Sequence, residues 1–501
     1  MSHAYNPRMS DCPHSHQLYT VAQVRELDRR AIEVLGVPGL ELMRRAAWAA
    51  LSSLRRHWPQ ARRLAVHCGP GNNGGDGFLL AVLAREAGLQ VDVLALGEAS
   101  SGDAATARQA WMDAGGGVRV WRPGDTLPAA DVHVDALYGT GLRRAPEPAV
   151  AALIEAINAS DAPVLALDVP SGLDADTGLV PGTAIHAAVT VGFIAAKRGL
   201  HTGRAANVVG ALELDALGLP ESLWQGMSPD AQLLTAAHLP PRPRDAHKGT
   251  NGHVLAIGGE HGMAGAIRLS GEAALRAGAG LVSAATRGEN LFALNAARPE
   301  LMAHGVDGPQ ALEPLLARAS VLAVGPGLGL GAWSHALWLT ALDSGKPLVL
   351  DADGLNLLAR EPRRFTQPAV LTPHPGEAAR LLGSTVAEVE ADRFAAARAL
   401  ADRFHAVAVL KGSGSLIAES DGRLDVCPWG NPGMATGGMG DLLTGIVAAL
   451  LAQGCDAWQA ACLGVGLHAR AGDCAARQGE RGLLATDLLA PLRALGNGTD
   501  A

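Results

Sequence analysis

The sequence predicts an α/β protein made of two successive three-layer units, and three features point there. Short apolar runs alternate with helix-period stretches in both halves, the pattern of buried, mainly parallel sheets covered by helices. Glycine-rich corners follow several of those runs. Between the halves, HLPPRPRD at 238–245 holds three prolines and can continue neither a sheet interior nor a helix.

The 501 residues leave room for at least two cores at roughly 100–200 residues each. With 48% apolar and 18% charged residues the chain is not disordered, and 62 glycines imply many tight turns. A net charge of −8 without a block of like charges gives no footprint for nucleic acid or anionic lipid, so small molecules are the expected partners. Six scattered cysteines show neither a disulfide framework nor zinc spacing, which favours a reducing cytoplasm. The first residues lack the basic-then-apolar order of a secretion signal, and Leu442 to Ala452 is too short to span a bilayer, so no membrane association is expected. Compact α/β enzymes often assemble symmetrically, and a homo-oligomer is the expectation.

In order along the chain, residues 1–17 read as a loose polar tail, with His14 and His16 incidental. Thr20 to Leu54 has helical spacing broken at Gly36, Pro38 and Gly39, hence two helices joined by a turn. Strands are predicted at 64–68, 91–96, 118–121, 131–137, 163–169 and 188–193, with helices such as Phe78 to Ala87 and Pro148 to Ala159 between them. The first domain is placed at 18–225, a proline-containing linker at 226–248 and the second domain at 249–501. There the alternation restarts with runs at 253–259, 281–285, 321–327, 347–353, 369–375 and 406–412. No fixed-period repeat relates the halves, so they read as different domains.

The run 64–68 leads into Gly69-Pro70-Gly71-Asn72-Asn73-Gly74-Gly75-Asp76-Gly77, with a helix predicted to start near Phe78. Glycines let backbone N–H groups approach an anion and a helix start adds positive character, although a capped glycine turn reads the same way. Two further strand ends carry oxygens: Asp135 ahead of Gly139-Thr140-Gly141, and Asp168-Val169-Pro170-Ser171. Ligands of open α/β sheets bind beyond the carboxyl ends of the strands. Converging Asn, Asp and Ser oxygens suit a hard cation of low charge, while each aspartate alone is an ordinary cap or turn former. Only four lysines occur, Lys197, Lys248, Lys346 and Lys411, which draws attention to Lys197 as a partner for Asp168 or a phosphate.

In this order GPGNNGGDG, DALYGTGL, DVPSGLDADTG and KRGL (197–200) resemble the NAD(P)H-hydrate epimerase domain, from about Leu18 to Leu214. The resemblance implies a Rossmann-like fold, interconversion of the R and S forms of hydrated NADH and NADPH, and a potassium ion (K+). It further implies that Asn72, Asn73, Gly74, Gly75, Asp76, Gly139, Thr140, Gly141, Leu142, Arg143, Arg144 and Ala145 cradle the hydrate. Asn73, Asp135 and Ser171 would hold potassium, and Asp168 would sit at the reacting carbon as acid–base catalyst.

In the second half Asn431-Pro432-Gly433-Met434-Ala435-Thr436-Gly437-Gly438-Met439-Gly440-Asp441 opens an apolar helix. Asp441 there reads either as an N-cap or as a base toward a substrate hydroxyl among donors that neutralise a phosphoryl group. Lys411-Gly412-Ser413-Gly414-Ser415 follows another predicted strand without Walker A spacing. Gly325 to Gly329, Asp351-Ala352-Asp353 and Thr372-Pro373-His374-Pro375-Gly376-Glu377 occupy further strand ends, and His374 is expected to contact ligand.

The order KGxxGxVxxIGG, AALRAGAGLV, GPGLG, DAD, TPHPGE, KG and GMATGGMGD resembles the nucleotide-dependent NAD(P)H-hydrate dehydratases, over about Thr235 to Leu495. That implies a ribokinase-like fold, with Ala266, Gly327, His374 and Asp441 on the S hydrate. Lys411, Gly412, Ser413, Gly414, Ser415 and Gly440 would bind the nucleotide; Ser415 stands where the family usually has Thr. The implied reaction is phosphoryl transfer from ADP or ATP to the C6 hydroxyl with Asp441 as base, then loss of phosphate to regenerate NADH or NADPH, with Mg²⁺ and Asp351 or Asp353 as candidate metal contacts. The whole chain thus resembles a bifunctional NAD(P)H-hydrate repair enzyme. The competing readings are a ribokinase-type kinase of a small alcohol fused to a non-catalytic nucleotide-binding Rossmann-like domain, and a binding scaffold in the first half.

Overall fold

The computed structural model describes residues 14–97, 102–141, 144–235, 239 and 241–499. The chain divides into two compact units, one ending at Gln232 and the other running on from Leu233. Among the described residues no helix is long and apolar enough to cross a membrane.

The first unit holds a seven-stranded sheet in the spatial order Val118–Val120, Gln90–Ala95, Arg63–Cys68, Val132–Ala136, Val164–Leu167, Val189–Phe193, Ala211–Asp215. All of its pairings are parallel. The chain winds outward from Arg63–Cys68, returns, and continues on its other side from Val132–Ala136. Loops leaving these two neighbours diverge, so the crevice between them is the natural ligand position of a doubly wound sheet. Val-, Leu- and Ala-rich strands buried on both faces explain why the apolar runs located six of the seven. The seventh, Ala211–Asp215, alternates Glu and Asp with Leu at the sheet's edge, and its apolar signal is correspondingly weak.

The helices Val21–Glu33 and Gly39–His57 lie where the periodicity puts them. The helix expected from Phe78 starts instead at Asn72. Its glycines are helical because packing demands them: a Cβ on Gly74 would lie 1.9 Å from the Gly69 carbonyl oxygen, and one on Gly77 2.5 Å from Ala136 Cβ. Low intrinsic propensity is overridden where only glycine lets helix and sheet approach so closely. Gln17–Tyr19 pairs in parallel with Ala196–Lys197, bringing Tyr19 opposite Lys197 and fixing the lysine's approach to the end of the sheet.

The second unit orders its strands Met302–Gly305, Leu281–Thr286, His253–Ile257, Val321–Val324, Leu348–Leu350, Ala369–Leu371, Val407–Leu410, Leu416–Ala418, Leu424–Val426. The last two join antiparallel and the rest parallel. The apolar helix Met439–Ala452 is buried along most of its length and crosses Ala264–Arg276 closely. A Cβ on Gly445 would lie 2.0 Å from the Ser270 carbonyl oxygen. Backbone cannot yield there as a side chain can, so Gly445→Ala is expected to cost about 1–3 kcal/mol. A urea titration should show a lower midpoint with the slope unchanged.

Candidate active sites

In the first unit a cavity of about 840 Å³ opens between the two diverging loops. Its floor is the start of the helix Asn72–Glu86. The N–H of Gly75 is already bonded to the Gly71 carbonyl at 3.1 Å, which leaves the N–H groups of Asn72, Asn73 and Gly74 outside the intrahelical ladder. Of the predicted hydrate-binding residues, Asn72, Asn73, Asp76, Gly139, Thr140, Gly141, Arg144, Ala145 and Asp168 line the cavity. Gly74 and Gly75 do not: their missing side chains admit the Gly69 carbonyl, and Met43 and Ala104, respectively. Leu142 and Arg143 lie outside the described residues.

Asp168 follows the strand Val164–Leu167 in the left-handed region, with φ of +65°. Its N–H is bonded to the Val191 carbonyl at 2.8 Å, and its carboxylate accepts from Phe193 N at 3.4 Å and from Lys197 Nζ. Such a conformation in a non-glycine residue persists where surrounding bonds over-determine it, and it turns the carboxylate into the cavity. Lys197, 1% exposed, spends a second hydrogen on the Phe193 carbonyl at 2.8 Å. Gly139 leaves room for the carboxylate, since a Cβ there would stand 3.0 Å from Asp168 Oδ2. Lys197 is thus paired with Asp168, one of the two partners that the sequence left open.

Behind this wall, Asp135 is fully buried and accepts from Ser171 N at 2.7 Å, Ser171 Oγ at 2.6 Å and Leu137 N at 3.2 Å. Burial raises its carboxyl to about 6 against the pull of those bonds, and among the described residues no cationic side chain compensates it. Asn73 is 8% exposed, yet among the described residues neither its Oδ1 nor its Nδ2 has a partner. A buried amide without partners costs about 1–3 kcal/mol or more unless a ligand satisfies it. An orphaned amide oxygen, an uncompensated carboxylate and the Ser171 hydroxyl fit a cation of low charge with oxygen ligands.

Among the cavity residues that escaped the sequence reading are two charged ones, Arg25 and Asp28, both on the helix Val21–Glu33. A signal existed: Val21, Val24 and Ala31 mark the inward face, and Asp28 falls on the same three-and-four spacing.

In the second unit Asp441 is the third residue of Met439–Ala452, entered through Gly438 at φ +91°. It faces a cluster made by three other strand ends. Lys411 Nζ lies 2.7 Å from Asp351 Oδ1 and 3.9 Å from Glu377 Oε2. Thr444 Oγ1, one turn beyond Gly440, donates to Asp351 Oδ2 at 2.9 Å. Gly440 is hemmed in, since a Cβ there would meet Lys411 Nζ at 3.1 Å and Asp351 Oδ2 at 3.2 Å. Burial would raise Asp351, but the Lys411 charge with hydrogen bonds from Lys411, Thr444 and Thr372 holds it below the usual carboxylate range. Asp441 has no such bond among the described residues; burial first, then Asp351, push it up to about 7 against the pull of Lys411. One carboxylate is thus fixed as counter-ion, and the other is poised to exchange a proton near neutrality.

The remaining predicted residues group around this cluster. Gly327 sits at φ +58°, where a Cβ would touch Ala266 Cβ at 3.2 Å, so these two predicted contacts are neighbours. His374 caps the helix Pro375–Leu382, its Nδ1 accepting from Gly376 N at 3.0 Å while Glu377 Oε2 accepts from His374 N at 2.8 Å. Its side chain stays 51% exposed. Gly412 and Ser415 close a tight turn through Gly412 N to Ser415 Oγ at 3.2 Å and Ser415 Oγ to Gly412 O at 2.9 Å, bracketing Ser413 and Gly414. Arg393, 2% exposed and missed by sequence, braces that turn by donating to the Lys411 carbonyl at 3.2 Å. Asp353 accepts from Gly329 N at 2.8 Å and Asn356 Nδ2 at 3.2 Å, pinning the 325–329 loop. With Asp351 committed to Lys411 and Thr444, and Asp353 to this loop, neither fits a protein-held Mg²⁺. Among the described residues no group of three His, Cys, Asp or Glu is placed to hold a metal.

The family profile described as NAD(P)H-hydrate dehydratase matches residues 254–493, and that described as YjeF-related protein N-terminus matches residues 39–199. The chain is 48% identical over 486 residues to the bifunctional NAD(P)H-hydrate repair enzyme Nnr of Coxiella burnetii, covering 96% of this chain and 99% of that one. It is 46% identical over 493 residues to the protein of the same name from Escherichia coli, covering 96% and 94%. Among solved structures it is similar to the ADP/ATP-dependent NAD(P)H-hydrate dehydratase from Bacillus subtilis co-crystallized with ATP/Mg2+, with 31% identity and a TM-score of 0.47 over 52% of this chain and 93% of that one.

Proposed function

Since the chain belongs to the family of bifunctional NAD(P)H-hydrate repair enzymes, we propose the following division of its work between the two sites. The epimerase is the first unit, assigned to 18–225, and interconverts the R and S hydrates of NADH and NADPH. The ribokinase-like second unit, assigned to 249–501, dehydrates the S form at the expense of ADP or ATP. The observation that supports this reading is the placement of one unusual aspartate beside a helix start in each unit: Asp168, held in the left-handed region, and Asp441, poised near 7.

In the epimerase the free N–H groups of Asn72 and Asn73 take a phosphate of the dinucleotide, and Gly139, Thr140, Gly141, Arg144 and Ala145 flank it. Asn73, Asp135 and Ser171 would hold potassium, which would supply the positive charge that Asp135 lacks and stiffen the loop carrying Asp168. Asp168 meets the hydroxyl on C6, its second oxygen anchored by Lys197.

In the dehydratase Asp441 takes the proton of the C6 hydroxyl as that oxygen attacks the terminal phosphorus of ADP or ATP. The new O–P bond replaces the one to the departing nucleotide. Phosphate then leaves C6 with its bonding pair, a proton is lost from C5, and the reduced nicotinamide is restored. The amides at 438–440 and the 411–415 turn face the phosphates, and Lys411 holds Asp351 away from them. Mg²⁺ would arrive with the nucleotide rather than on protein carboxylates. We place this chemistry in the cytoplasm, in keeping with Cys68, Cys427, Cys455, Cys462 and Cys474 all being free thiols.

Incubating the protein with separated R or S NADH hydrate, K+, Mg²⁺ and ADP or ATP, and following reduced-nicotinamide absorbance, tests the reading. Both epimers should be restored, the R form only as fast as it is epimerised. Nucleotide consumption with a stable phosphorylated product would mean a small-alcohol kinase, and an R form that recovers no faster than spontaneously would remove the epimerase.

A further inference from the structure

Asp28 lines the same cavity as Asp168, Asp76 and Lys197, and its carboxyl makes no side-chain hydrogen bond or ion pair among the described residues. A carboxyl that faces a cavity beside the reacting group without a structural partner is available to substrate. The orphaned Asn73 amide, nine-tenths buried in the same wall, independently marks this cavity as built around a bound molecule. We propose that Asp28 is the second proton-transfer group of the epimerase site, serving the ring nitrogen of the hydrate while Asp168 serves its C6 oxygen.

This rests on the epimerase reading above. C6 of the hydrate carries both a hydroxyl and the ring nitrogen N1, so it is a carbinolamine, and one carboxylate cannot serve both atoms at once. Asp168 takes the hydroxyl proton as the C6–O bond becomes a carbonyl. The C6–N1 bond breaks with its electron pair going to nitrogen, which takes the proton of the Asp28 carboxylic acid. Rotation about C5–C6 turns the other carbonyl face to nitrogen. On reclosure the N1–C6 bond re-forms, Asp28 recovers its proton from nitrogen and Asp168 returns its own to oxygen. Atoms and electrons balance with no oxidant or co-substrate.

The surroundings of Asp28 suit the acid role. Burial, then the Asp168 charge, raise its carboxyl above the usual range, while Lys197 opposes them. The other charged groups at the cavity are Arg25, Asp76, Asp103, Arg144 and Glu147, the last two paired at 3.6 Å. Asp76 is also raised by burial, Asp168 and Asp28, but it is the more deeply buried of the two and less able to exchange its proton with water between turnovers.

The test measures R-to-S conversion across pH for wild type, Asp28→Asn, Asp28→Glu and Asp76→Asn. Dehydration of pure S hydrate in each preparation reports the amount of active second unit, and an unchanged urea midpoint for the first unit reports that it is folded. Asp28→Asn should lower kcat for epimerisation about 10²-fold with KM little changed, and should abolish the fall in rate on the alkaline side where Asp28 ionises. Asp28→Glu should restore much of the rate and that limb. A wild-type rate and profile in Asp28→Asn, a change in KM alone, or loss of the limb in Asp76→Asn instead would overturn the proposal while leaving the epimerase intact. A wild-type protein that does not interconvert the epimers would overturn both.

Discussion

Asp441→Asn is expected to lower nucleotide-dependent restoration of NADH from the S hydrate by about 10²–10⁴-fold, the usual range for losing a positioned base. R-to-S epimerisation in the same preparation should be unchanged. In the wild type, kcat/KM for dehydration should rise with pH and level off above about 7, because the base acts only when Asp441 is ionised. Stability supplies an independent reading with the opposite sign. A carboxyl raised in the folded state binds protons more tightly than in the unfolded chain, so between its unfolded value near 3.8 and about 7 the folded state loses stability as pH rises. Asparagine cannot ionise, and Asp441→Asn should therefore unfold at higher urea than wild type at pH 8, with the difference vanishing near pH 4. An inactive variant that is also more stable at pH 8 is what a functionally strained carboxylate predicts. Equal stability at both pH values would mean that Asp441 is a solvated helix cap.

The two-unit α/β architecture was legible because buried parallel strands write themselves as short apolar runs, and the doubly wound order puts most of the motifs at strand ends. Reading stopped where three-dimensional neighbours decide. The 72–77 segment read as a loop because glycine is a poor helix former, yet its glycines are helical so that Gly69 and Ala136 can pack against them. Asp28 was invisible as a site residue because helical spacing shows that it faces inward but not that Asp168 lies across the gap. His374 carried a signal, its place between two prolines, that the structure shows to be at least partly a capping function. In the second unit Asp351, Lys411 and the helix start that carries Asp441 and Thr444 lie far apart in the sequence, and nothing in their spacing reveals which carboxylate takes the lysine. That pairing separates the counter-ion from the base.

Lys411→Met tests this separation and carries the largest expected effect on stability. The substitution leaves Asp351, 2% exposed, without its counter-ion, and the hydrogen bonds from Thr444 and Thr372 cannot compensate a buried charge. Removing one member of a buried pair typically costs about 3–5 kcal/mol, and urea unfolding of the second unit should show a loss of that order. The double variant Asp351→Asn with Lys411→Met removes both charges and should recover most of the loss, since the penalty belongs to the stranded carboxylate rather than to the missing bond. Lys411 also lowers Asp441, so any residual dehydration by Lys411→Met should need a higher pH than wild type. A nucleotide-binding lysine without this structural duty would behave differently: its loss would weaken ADP or ATP binding at unchanged stability, and the double variant would be no better than the single one. Recovery of stability without recovery of activity in the double variant would assign Lys411 both duties, counter-ion to Asp351 and positive charge beside the transferring phosphate.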